Sequence, residues 1–518
     1  MSLIKSTAVV SAMTMVSRIS GLVRDMVIAH IFRIGGATDA FFVAFKIPNF
    51  LRRLFAEGAF NQAFVPVLTE YKVQNGQEEV ADLARHVAGT LAGILFLLTL
   101  LAVFAAPVLV TLFAPGYLDD AKQFDLTALM LRITFPYILF ISLTALVAGI
   151  LNSYGRFAIP AFTPVFLNLI LIASALWLSP YFAEPVVALA VGVFIAGLVQ
   201  LGFQLPTLHS LGFLRWPRWG WQHGGVRRVM RLMLPGIVGS SAMQINLLFD
   251  ILIASFLVSG SISWLYYSDR LVEFPLGVFG VALATVILPN LSEKHTQGDP
   301  AAFSHMLDWA LRWVLVIGTP AAVALAVLAG PLLITLFMHG EFSKHDVEMS
   351  SLSLMAYSIG LLGFTLIKVL APGYFARQDT KTPVRIALIA MAANMSFNVV
   401  FVVGMTYADF RGPHAGLAMA TTLSAILNAA LLLRGLRQQQ VYHPQPGWAR
   451  LFIQVGMASV LMCLSLLWLS GDMSRWFEAN TLQRILHLAI IVPTGAVVYF
   501  AVLWVMGLRF SILHKPGN

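Results

Sequence analysis

The sequence predicts an all-α, polytopic membrane protein of about fourteen transmembrane helices, with two six-helix lobes followed by two C-terminal helices. Three observations predict this fold class: an apolar composition, long apolar runs along the whole chain, and short matches between its two halves. Of 518 residues, 58% are hydrophobic and only 11% are charged, whereas soluble domains carry about 25% charged residues. A chain built almost wholly of bilayer-length apolar runs indicates a helical bundle that functions inside the membrane.

Apolar runs define the individual helices. The first run carries Arg18, Arg24 and Asp25 and lacks a small-residue cleavage site, so we interpret it as a spanning helix and not a signal peptide. The single cysteine, Cys463, provides neither a disulfide framework nor a zinc site. The predicted helices are 8–32, 38–69, 83–110, 126–153, 159–180, 184–207, 228–258, 264–292, 305–329, 346–375, 383–406, 414–437, 448–470 and 483–508.

The charges of the loops predict the orientation in the membrane. Alternate loops are basic, whereas the loops between them hold acids such as Asp119, Asp120 and Glu184. The positive-inside rule makes the basic loops cytoplasmic, so the protein lies in the inner membrane with both termini in the cytoplasm. The net charge of +9 does not indicate nucleic-acid binding, because it is confined to these loops. The largest basic group is Arg215, Arg218, Arg227, Arg228 and Arg231.

Three matches at nearly one spacing predict an internal repeat. Residues 106–113 match 330–337, residues 66–70 match 289–293, and Thr163-Pro-Val165 matches 382–384. Six helices per repeat is an even number, so the two lobes share one orientation, and transporters with this plan bind substrate between their lobes. The predicted domains are an N-lobe at 1–207, a basic cytoplasmic linker at 208–227, a C-lobe at 228–440, and the last two helices with the tail at 441–518.

Ionisable residues concentrate in the first two predicted helices. An arginine at the centre of a spanning helix costs about 2.5–3.5 kcal/mol, so each one needs a physical reason. Lys46, Asn49 and Arg53 share one face of the second helix. These side chains either line a polar cavity or form salt bridges with one another. Snorkelling or an ion pair accounts for Arg132, Arg312 and Asp308 near segment ends. The polar set of the two helices is Arg18, Arg24, Asp25, Asp39, Lys46, Asn49, Arg52, Arg53 and Glu57.

The predicted C-lobe carries a matching polar group on its helices 8 and 10. It comprises Ser263, Asp269, Arg270, Glu273 and Lys368. Basic residues outnumber acids in the two lobes together, and most are arginines, whose fork of donors suits phosphate. We therefore predict an anion site, most simply for phosphate or pyrophosphate.

A third polar cluster has two interpretations. Asp250, Asn394, Asn398 and Thr421 offer carboxylate, amide and hydroxyl oxygens that suit a small hard cation such as sodium. The same groups form interhelical hydrogen bonds routinely in membranes, and we favour that interpretation.

No catalytic motif accompanies these clusters. The chain contains no GxxxxGK[ST] sequence for binding ATP, and no HExxH or GxSxG in a plausible context. We therefore expect a transporter with no cofactor and not an enzyme.

Several motifs closely resemble those of the MurJ (MviN) family. They are TDAFFVAFKIPNFLRRLFAEGAF at 38–60, Ser17-Arg18, Arg24-Asp25, Ser263-Trp264, the run from Tyr266 to Phe274, and KVLAPG at 368–373. Members are lipid II flippases of the multidrug/oligosaccharidyl-lipid/polysaccharide exporter superfamily. The resemblance implies two lobes forming a V and two final helices that hold the lipid tail.

The resemblance also implies the substrate and its site. The substrate would be undecaprenyl-pyrophosphate-linked disaccharide-pentapeptide, in a cavity lined by Arg18, Arg24, Asp39, Asn49, Arg52, Glu57, Ser263, Asp269, Arg270, Glu273 and Lys368. We add Arg53 to the predicted binding residues because it lies on the polar face of the second helix. Asp25 and Asp39 would contribute to gating, and Asp250, Asn394, Asn398 and Thr421 resemble a sodium site. Coupling would use sodium or the membrane potential, the chain would be a monomer, and a peptidoglycan synthase would be a functional neighbour.

Three other functions fit the same composition. They are a flippase for another polyprenyl-linked glycan, a cation-coupled multidrug exporter, and a membrane scaffold without transport. A basic cavity disfavours the multidrug exporter, and tolerance of charge-neutralising substitutions would favour the scaffold.

Overall fold

The computed structural model describes residues 3–53 and 59–508, and within these ranges every regular element is helical. The first eleven helices are α1 Leu3–Ile31, α2 Gly36–Arg52, α3 Ala59–Gln74, α4 Gln77–Phe104, α5 Ala106–Phe113, α6 Ala121–Thr134, α7 Tyr137–Ser153, α8 Ala158–Phe162, α9 Pro164–Ala173, α10 Val187–Ser210 and α11 Gly224–Ala254. The remaining ten are α12 Ser261–Pro275, α13 Val281–Thr296, α14 Pro300–Val327, α15 Ala329–Leu336, α16 Lys344–Phe375, α17 Lys381–Tyr407, α18 Ala415–Gln438, α19 Trp448–Ser470, α20 Met473–Glu478 and α21 Thr481–Val505. The all-α prediction is confirmed.

Ten segments of the described chain are long and apolar enough to cross a membrane. They correspond to ten of the fourteen predicted helices. The other four predictions, 8–32, 38–69, 228–258 and 264–292, coincide with α1, with α2 and α3, with α11, and with α12 and α13. Helices α2, α3, α12 and α13 have 17, 16, 15 and 16 residues, each shorter than the roughly 20 residues of a full span. The count of fourteen therefore remains a prediction.

The repeat is visible in the lengths of the helices. The matching residues 106–113 and 330–337 fall on the eight-residue helices α5 and α15. Each follows a 28-residue helix, α4 or α14. Helices α10 and α18 close the two series with 24 residues each. The match of 106–113 with 330–337 thus falls on two helices of equal length that occupy the same place in each series.

One of the predicted spanning helices is interrupted within the described residues. The predicted helix 264–292 consists of α12, which ends at Pro275, a π-helical turn at Leu276–Gly280, and α13. A proline removes one backbone hydrogen bond, and such turns satisfy the remaining groups locally. Helices α2 and α3 cover the described parts of the predicted helix 38–69, and residues 54–58 lie outside the described residues.

The chain forms two compact units, residues 1–263 and 264–518. Helix α11 belongs to the first unit, where Arg228 forms an ion pair with Glu70 of α3 at 2.7 Å. This division does not follow the predicted lobe boundaries, which remain a prediction.

Small residues allow close helix packing in the second unit. A Cβ atom at Gly363 of α16 would lie 3.0 Å from the backbone of Ala425 in α18, and one at Gly360 would lie 2.6 Å from Thr422 Oγ1. Close approach through small residues is the usual means of helix association in membranes. Leu307, Leu370 and Leu432 fill the core beside this contact.

An ion pair anchors the connection between α18 and α19. Asp308 accepts hydrogen bonds from Arg312 Nε at 2.6 Å, Tyr442 Oη at 2.8 Å and Trp448 Nε1 at 2.8 Å. Burial and the adjacent Asp308 raise the pKa of Tyr442, so its phenol stays a neutral donor. The prediction of a structural ion pair for Asp308 and Arg312 is confirmed.

Candidate functional site

In the first unit, Arg24 is enclosed and held from two sides. Its Nη2 atom lies 2.6 Å from Asp25 Oδ1, and its Nη1 atom donates to Asn168 Oδ1 of α9 at 3.1 Å. Only 7% of Arg24 is exposed, and Asp25 is fully buried. The Asn168 amide is fixed in turn by Ser17 O at 3.1 Å and Ser20 Oγ at 2.8 Å. These two partners therefore fix the position of the Arg24 side chain, and Asp25 neutralises its charge.

Asp39 of α2 caps the start of α12. Its carboxylate accepts from Gly260 N at 2.7 Å, from Ser263 N at 2.8 Å and from Ser263 Oγ at 2.6 Å. A helix N-terminus leaves backbone donors unsatisfied and favours negative charge, so a buried carboxylate stabilises it. Asp39 is 2% exposed, and its bonds to Ser263 bring together two residues that the sequence assigned to gating and to binding.

Glycines permit close approach around this cap. A Cβ atom at Gly116 would lie 2.2 Å from Ser255 O, a backbone atom that cannot move aside easily. A Cβ atom at Gly36 would lie 3.3 Å from Ser259 Oγ. Because the C-terminal end of α11 and the following turn contact these glycines, residues 255–263 close tightly over α2 and the turn after α5.

The other polar residues of α1 and α2 are more accessible. Arg18, Lys46 and Asn49 are half-buried, and Arg53 is exposed. Arg52, also half-buried, donates from Nε to Asn49 Oδ1 at 2.7 Å. Glu57 lies outside the described residues. The predicted face of α2 thus presents cationic groups that are only partly enclosed.

In the second unit, the predicted residues lie on α12 and α16. Arg270 Nη1 lies 3.1 Å from Glu273 Oε2, an ion pair one turn apart. Asp269, Glu273 and Lys368 are exposed, and Arg270 is half-buried. The stem of Lys368 passes beside Gly280, where a Cβ atom would lie 3.8 Å from Lys368 Cγ.

These charged side chains are accessible, which indicates that water reaches them. An ionised side chain in the middle of a spanning helix rarely faces lipid and normally lines a polar cavity. Arginine and lysine in such a cavity replace the hydration of a phosphate oxygen with charge-assisted hydrogen bonds. Arrangements of this kind can bind and release a phosphorylated headgroup. Among the described residues at these positions, no nucleophile is paired with a base.

The candidate sodium ligands do not lie in one unit. Asp250 belongs to α11 in the first unit, whereas Asn394, Asn398 and Thr421 lie in the second. There, Asn398 Nδ2 donates to Asn394 Oδ1 at 3.0 Å, and Asn394 Nδ2 donates to Thr421 Oγ1 at 3.4 Å. The first bond lies within α17, and the second is an interhelical bond from α17 to α18, the kind of contact that we favoured. The sodium site remains a prediction.

Sequence reasoning missed Asn168 and the cap at Ser263. A buried asparagine in an apolar helix is a detectable signal, since intramembrane amides normally have a partner. The backbone donors at Gly260 and Ser263 leave no mark in the sequence.

Charged, accessible side chains on a polytopic helical bundle with two similar series of helices define a membrane transporter. The model of the lipid II flippase MurJ family matches residues 28–488. The chain therefore belongs to the MurJ family, whose members are transporters and not enzymes.

Known relatives are similar over their whole lengths. The chain is 50% identical over 518 residues to the probable lipid II flippase MurJ of Vibrio cholerae, covering 99% of this chain and 97% of that protein. It is 41% identical over 526 residues to the lipid II flippase MurJ of Burkholderia cenocepacia, covering both chains completely.

Solved structures show the same fold. A lipid II flippase MurJ in an inward closed conformation superposes with a TM-score of 0.80 at 27% identity, covering 97% of this chain and 99% of that one. An inward-facing multidrug MATE transporter superposes with a TM-score of 0.69 at 12% identity over 84% of this chain and 98% of that one. The second likeness concerns the fold alone.

Proposed function

We propose that this protein moves lipid II from the cytoplasmic to the periplasmic leaflet by alternating access, with cationic side chains binding the pyrophosphate. The observation that carries the proposal is the set of accessible cations on polar spanning helices. Arg18, Arg52 and Arg53 in the first unit and Arg270 and Lys368 in the second are half-buried or exposed. Membership of the MurJ family supports the choice of substrate.

Binding by cationic side chains lowers the main free-energy cost of transport, which is moving phosphate charge across the hydrocarbon. A bare phosphate charge in hydrocarbon costs many kcal/mol unless protein groups replace its water. The polyprenyl tail needs no such help, because it stays in lipid while the headgroup crosses. Asp269 and Glu273 hold the nearby arginine in place or bind the sugar and peptide.

Asp39 and Asp25 are the proposed gating residues. The cap that Asp39 forms on α12 must be broken for residues 260–263 to separate from α2. Because each lost charge-assisted bond costs about 1.5–3 kcal/mol, the cap stabilises the state seen here. Substrate binding or the membrane potential would supply the opposing free energy.

The membrane potential is the simplest driving force. With the cytoplasm negative, moving two negative charges outward gains about 4.6 kcal/mol per 100 mV, from 2.3 per charge. This proposal needs no cofactor. A sodium ion at Asp250, Asn394, Asn398 and Thr421 is the alternative source of coupling.

The charges of the loops predict the membrane and the orientation in which the protein acts. The protein acts as a monomer in the inner membrane with both termini in the cytoplasm, as the positive-inside rule predicts. A peptidoglycan synthase that consumes the exported lipid II is the expected functional neighbour.

Depletion of the protein in its host, followed by leaflet-resolved labelling of lipid II, tests the proposal. We expect lipid II to accumulate on the cytoplasmic face, with rescue by wild type and not by Arg18→Ala/Arg270→Ala. A control variant, Arg411→Gln, removes a charge from an exposed loop and should rescue fully. An unchanged distribution in a host without a second flippase would exclude lipid II and favour another polyprenyl-linked glycan.

A further inference from the structure

A short segment between α10 and α11, distinct from the residues proposed for transport, carries exposed tryptophans beside arginines. We call residues 214–223, LRWPRWGWQH, the Trp–Arg segment. Three tryptophans in it are unusually accessible: Trp216 is 91% exposed, Trp219 62% and Trp221 47%. Tryptophans of this kind concentrate where the headgroups of a bilayer meet its hydrocarbon.

The segment is fixed to α4 and does not hang free. Arg218 N donates to Arg85 O at 3.1 Å, and Gly220 N donates to Thr90 Oγ1 at 3.0 Å. A Cβ atom at Gly89 would lie 2.2 Å from Arg218 O. This close approach needs a glycine, so α4 holds the backbone of the segment in one place.

The tryptophan rings are positioned by the same helix. A Cβ atom at Gly93 would lie 2.8 Å from the Trp219 ring. The Trp219 and Trp221 rings stack with centroids 6.3 Å apart and planes 18° from parallel. The two rings therefore form a rigid apolar pair along the membrane-spanning part of α4.

A cavity of about 760 Å³ lies between the segment and α4. His86, Gln222 and His223 line its polar end, Trp219 and Trp221 its walls, and Ile94 its apolar end. His86 and Ile94 are separated by about 12 Å along the helix at 1.5 Å per residue. This length reaches from the headgroup layer into the hydrocarbon of a bilayer.

The chain around the cavity is basic. Residues 208–231 contain five arginines and no acidic residue. Two of these arginines are neutralised, Arg215 by Glu78 and Arg228 by Glu70. Arg227 is exposed and donates from Nε to Trp221 O at 3.2 Å, which holds its guanidinium beside the cavity wall. The carboxylate of Asp82 nearby is paired with Arg85 and both histidines.

We propose that this cavity binds an anionic glycerophospholipid, with the phosphate at Arg227 and the acyl chains along Trp219, Trp221 and Ile94. The polar-to-apolar gradient of the cavity matches a phospholipid, and the surplus of arginine selects a net negative headgroup over a zwitterionic one. The site is separate from the charged groups proposed to bind lipid II, so its occupancy does not depend on transport.

Native mass spectrometry of the purified protein tests the site. Phosphatidylglycerol and phosphatidylcholine with identical acyl chains are titrated separately, and the affinity of the first bound lipid is compared. We expect wild type to bind phosphatidylglycerol at least fivefold more tightly than phosphatidylcholine. Arg227→Glu should reduce this preference below twofold, because it weakens the binding of phosphatidylglycerol, which carries a net negative charge, more than that of zwitterionic phosphatidylcholine. Arg227 is exposed, so its substitution should not disturb folding.

Two further variants complete the test. Trp219→Ala/Trp221→Ala should weaken the binding of both lipids at least fivefold, because it removes the walls of the cavity. The control Trp468→Ala/Arg411→Glu removes an exposed tryptophan and an exposed charge elsewhere, and should bind both lipids as wild type does. Wild-type affinity for phosphatidylglycerol in both Arg227→Glu and Trp219→Ala/Trp221→Ala would overturn the proposal and leave only non-selective contact with the bilayer.

Discussion

The charged residues of this protein divide into an enclosed group and an accessible group. Arg24, Asp25 and Asp39 are buried. Arg24 bonds to Asp25 within α1 and to Asn168 of α9, and Asp39 accepts from Gly260 N and Ser263 N. Arg53, Glu273 and Lys368 are exposed, although they lie on helices of the same polar kind. Sequence alone puts both groups in one class, as ionisable residues within membrane segments.

The difference assigns different tasks to the two groups. A buried charge with complete partners stabilises one arrangement of helices, and removing a partner leaves an expensive uncompensated charge. An accessible charge can exchange water for a ligand at little structural cost. We therefore expect substitutions in the enclosed group to alter conformation or stability, and substitutions in the accessible group to alter binding.

The largest effect should come from neutralising the accessible group. The variant Arg18→Gln/Arg52→Gln/Arg270→Gln/Lys368→Gln should lose lipid II transport completely while keeping a wild-type melting temperature. Each charged hydrogen bond contributes about 1.5–3 kcal/mol, so four losses total about 6–12 kcal/mol, comparable to the whole binding free energy of about 8 kcal/mol of a micromolar ligand. Reconstituted vesicles with labelled lipid II provide the measurement. Transport at wild-type rates would show that these cations do not contact the substrate.

A change in the enclosed group should open the structure around α12. Asp39→Ala leaves the backbone donors at Gly260 and Ser263 without an acceptor. The cost of about 1–3 kcal/mol shifts the equilibrium roughly 5–150-fold. The reaction of a Ser261→Cys thiol with maleimide, in a Cys463→Ser background, reports this opening, because Ser261 is fully buried. Equal labelling rates with and without the Asp39→Ala substitution would contradict the role of the cap.

A smaller effect is expected at Asn168. Asn168→Ala removes one acceptor from Arg24 and releases Ser17 and Ser20, so stability should fall by about 1–2 kcal/mol. The measurement is thermal unfolding in detergent. Asn168→Asp keeps an acceptor for Arg24 and should recover part of the loss. If both variants melt as wild type does, Arg24 is not positioned by α9.

The smallest effect is expected for Asp379, a loop residue that belongs to neither the enclosed nor the accessible group of charges. Asp379 caps α17 through Thr382 N at 3.0 Å, and hydrogen bonds from Thr382 lower the pKa of its carboxyl. A lowered folded-state pKa stabilises the protein above the unfolded pKa near 4, and this contribution is lost as pH falls below it. Asp379→Ala should cost about 0.5–1 kcal/mol at neutral pH and less in acid. Equal losses at both pH values would exclude the charged cap.

The fold was predictable from the sequence because its signals are local. Apolar runs and basic loops marked the helices, and the matches at 106–113 and 330–337 fell on equivalent short helices. The break at Pro275 was visible as a proline, but its extent over Leu276–Gly280 depends on packing.

The division of the charges was not predictable, because it depends on distant partners. Arg24 and its acceptor Asn168 are 144 positions apart. Helical periodicity gives the face on which each residue lies, but not the rotation of α9 against α1. The cap at Asp39 uses backbone donors, which every residue except proline carries.

Direct comparison of two ligands tests most sharply whether the accessible cations recognise a pyrophosphate. The affinities of the purified protein for undecaprenyl pyrophosphate and undecaprenyl monophosphate should differ at least tenfold in favour of the pyrophosphate. Arg52→Gln/Arg270→Gln should abolish that difference, and Asn168→Asp should preserve it. Equal affinities in wild type, or an unchanged preference in Arg52→Gln/Arg270→Gln, would contradict recognition of the pyrophosphate by these side chains.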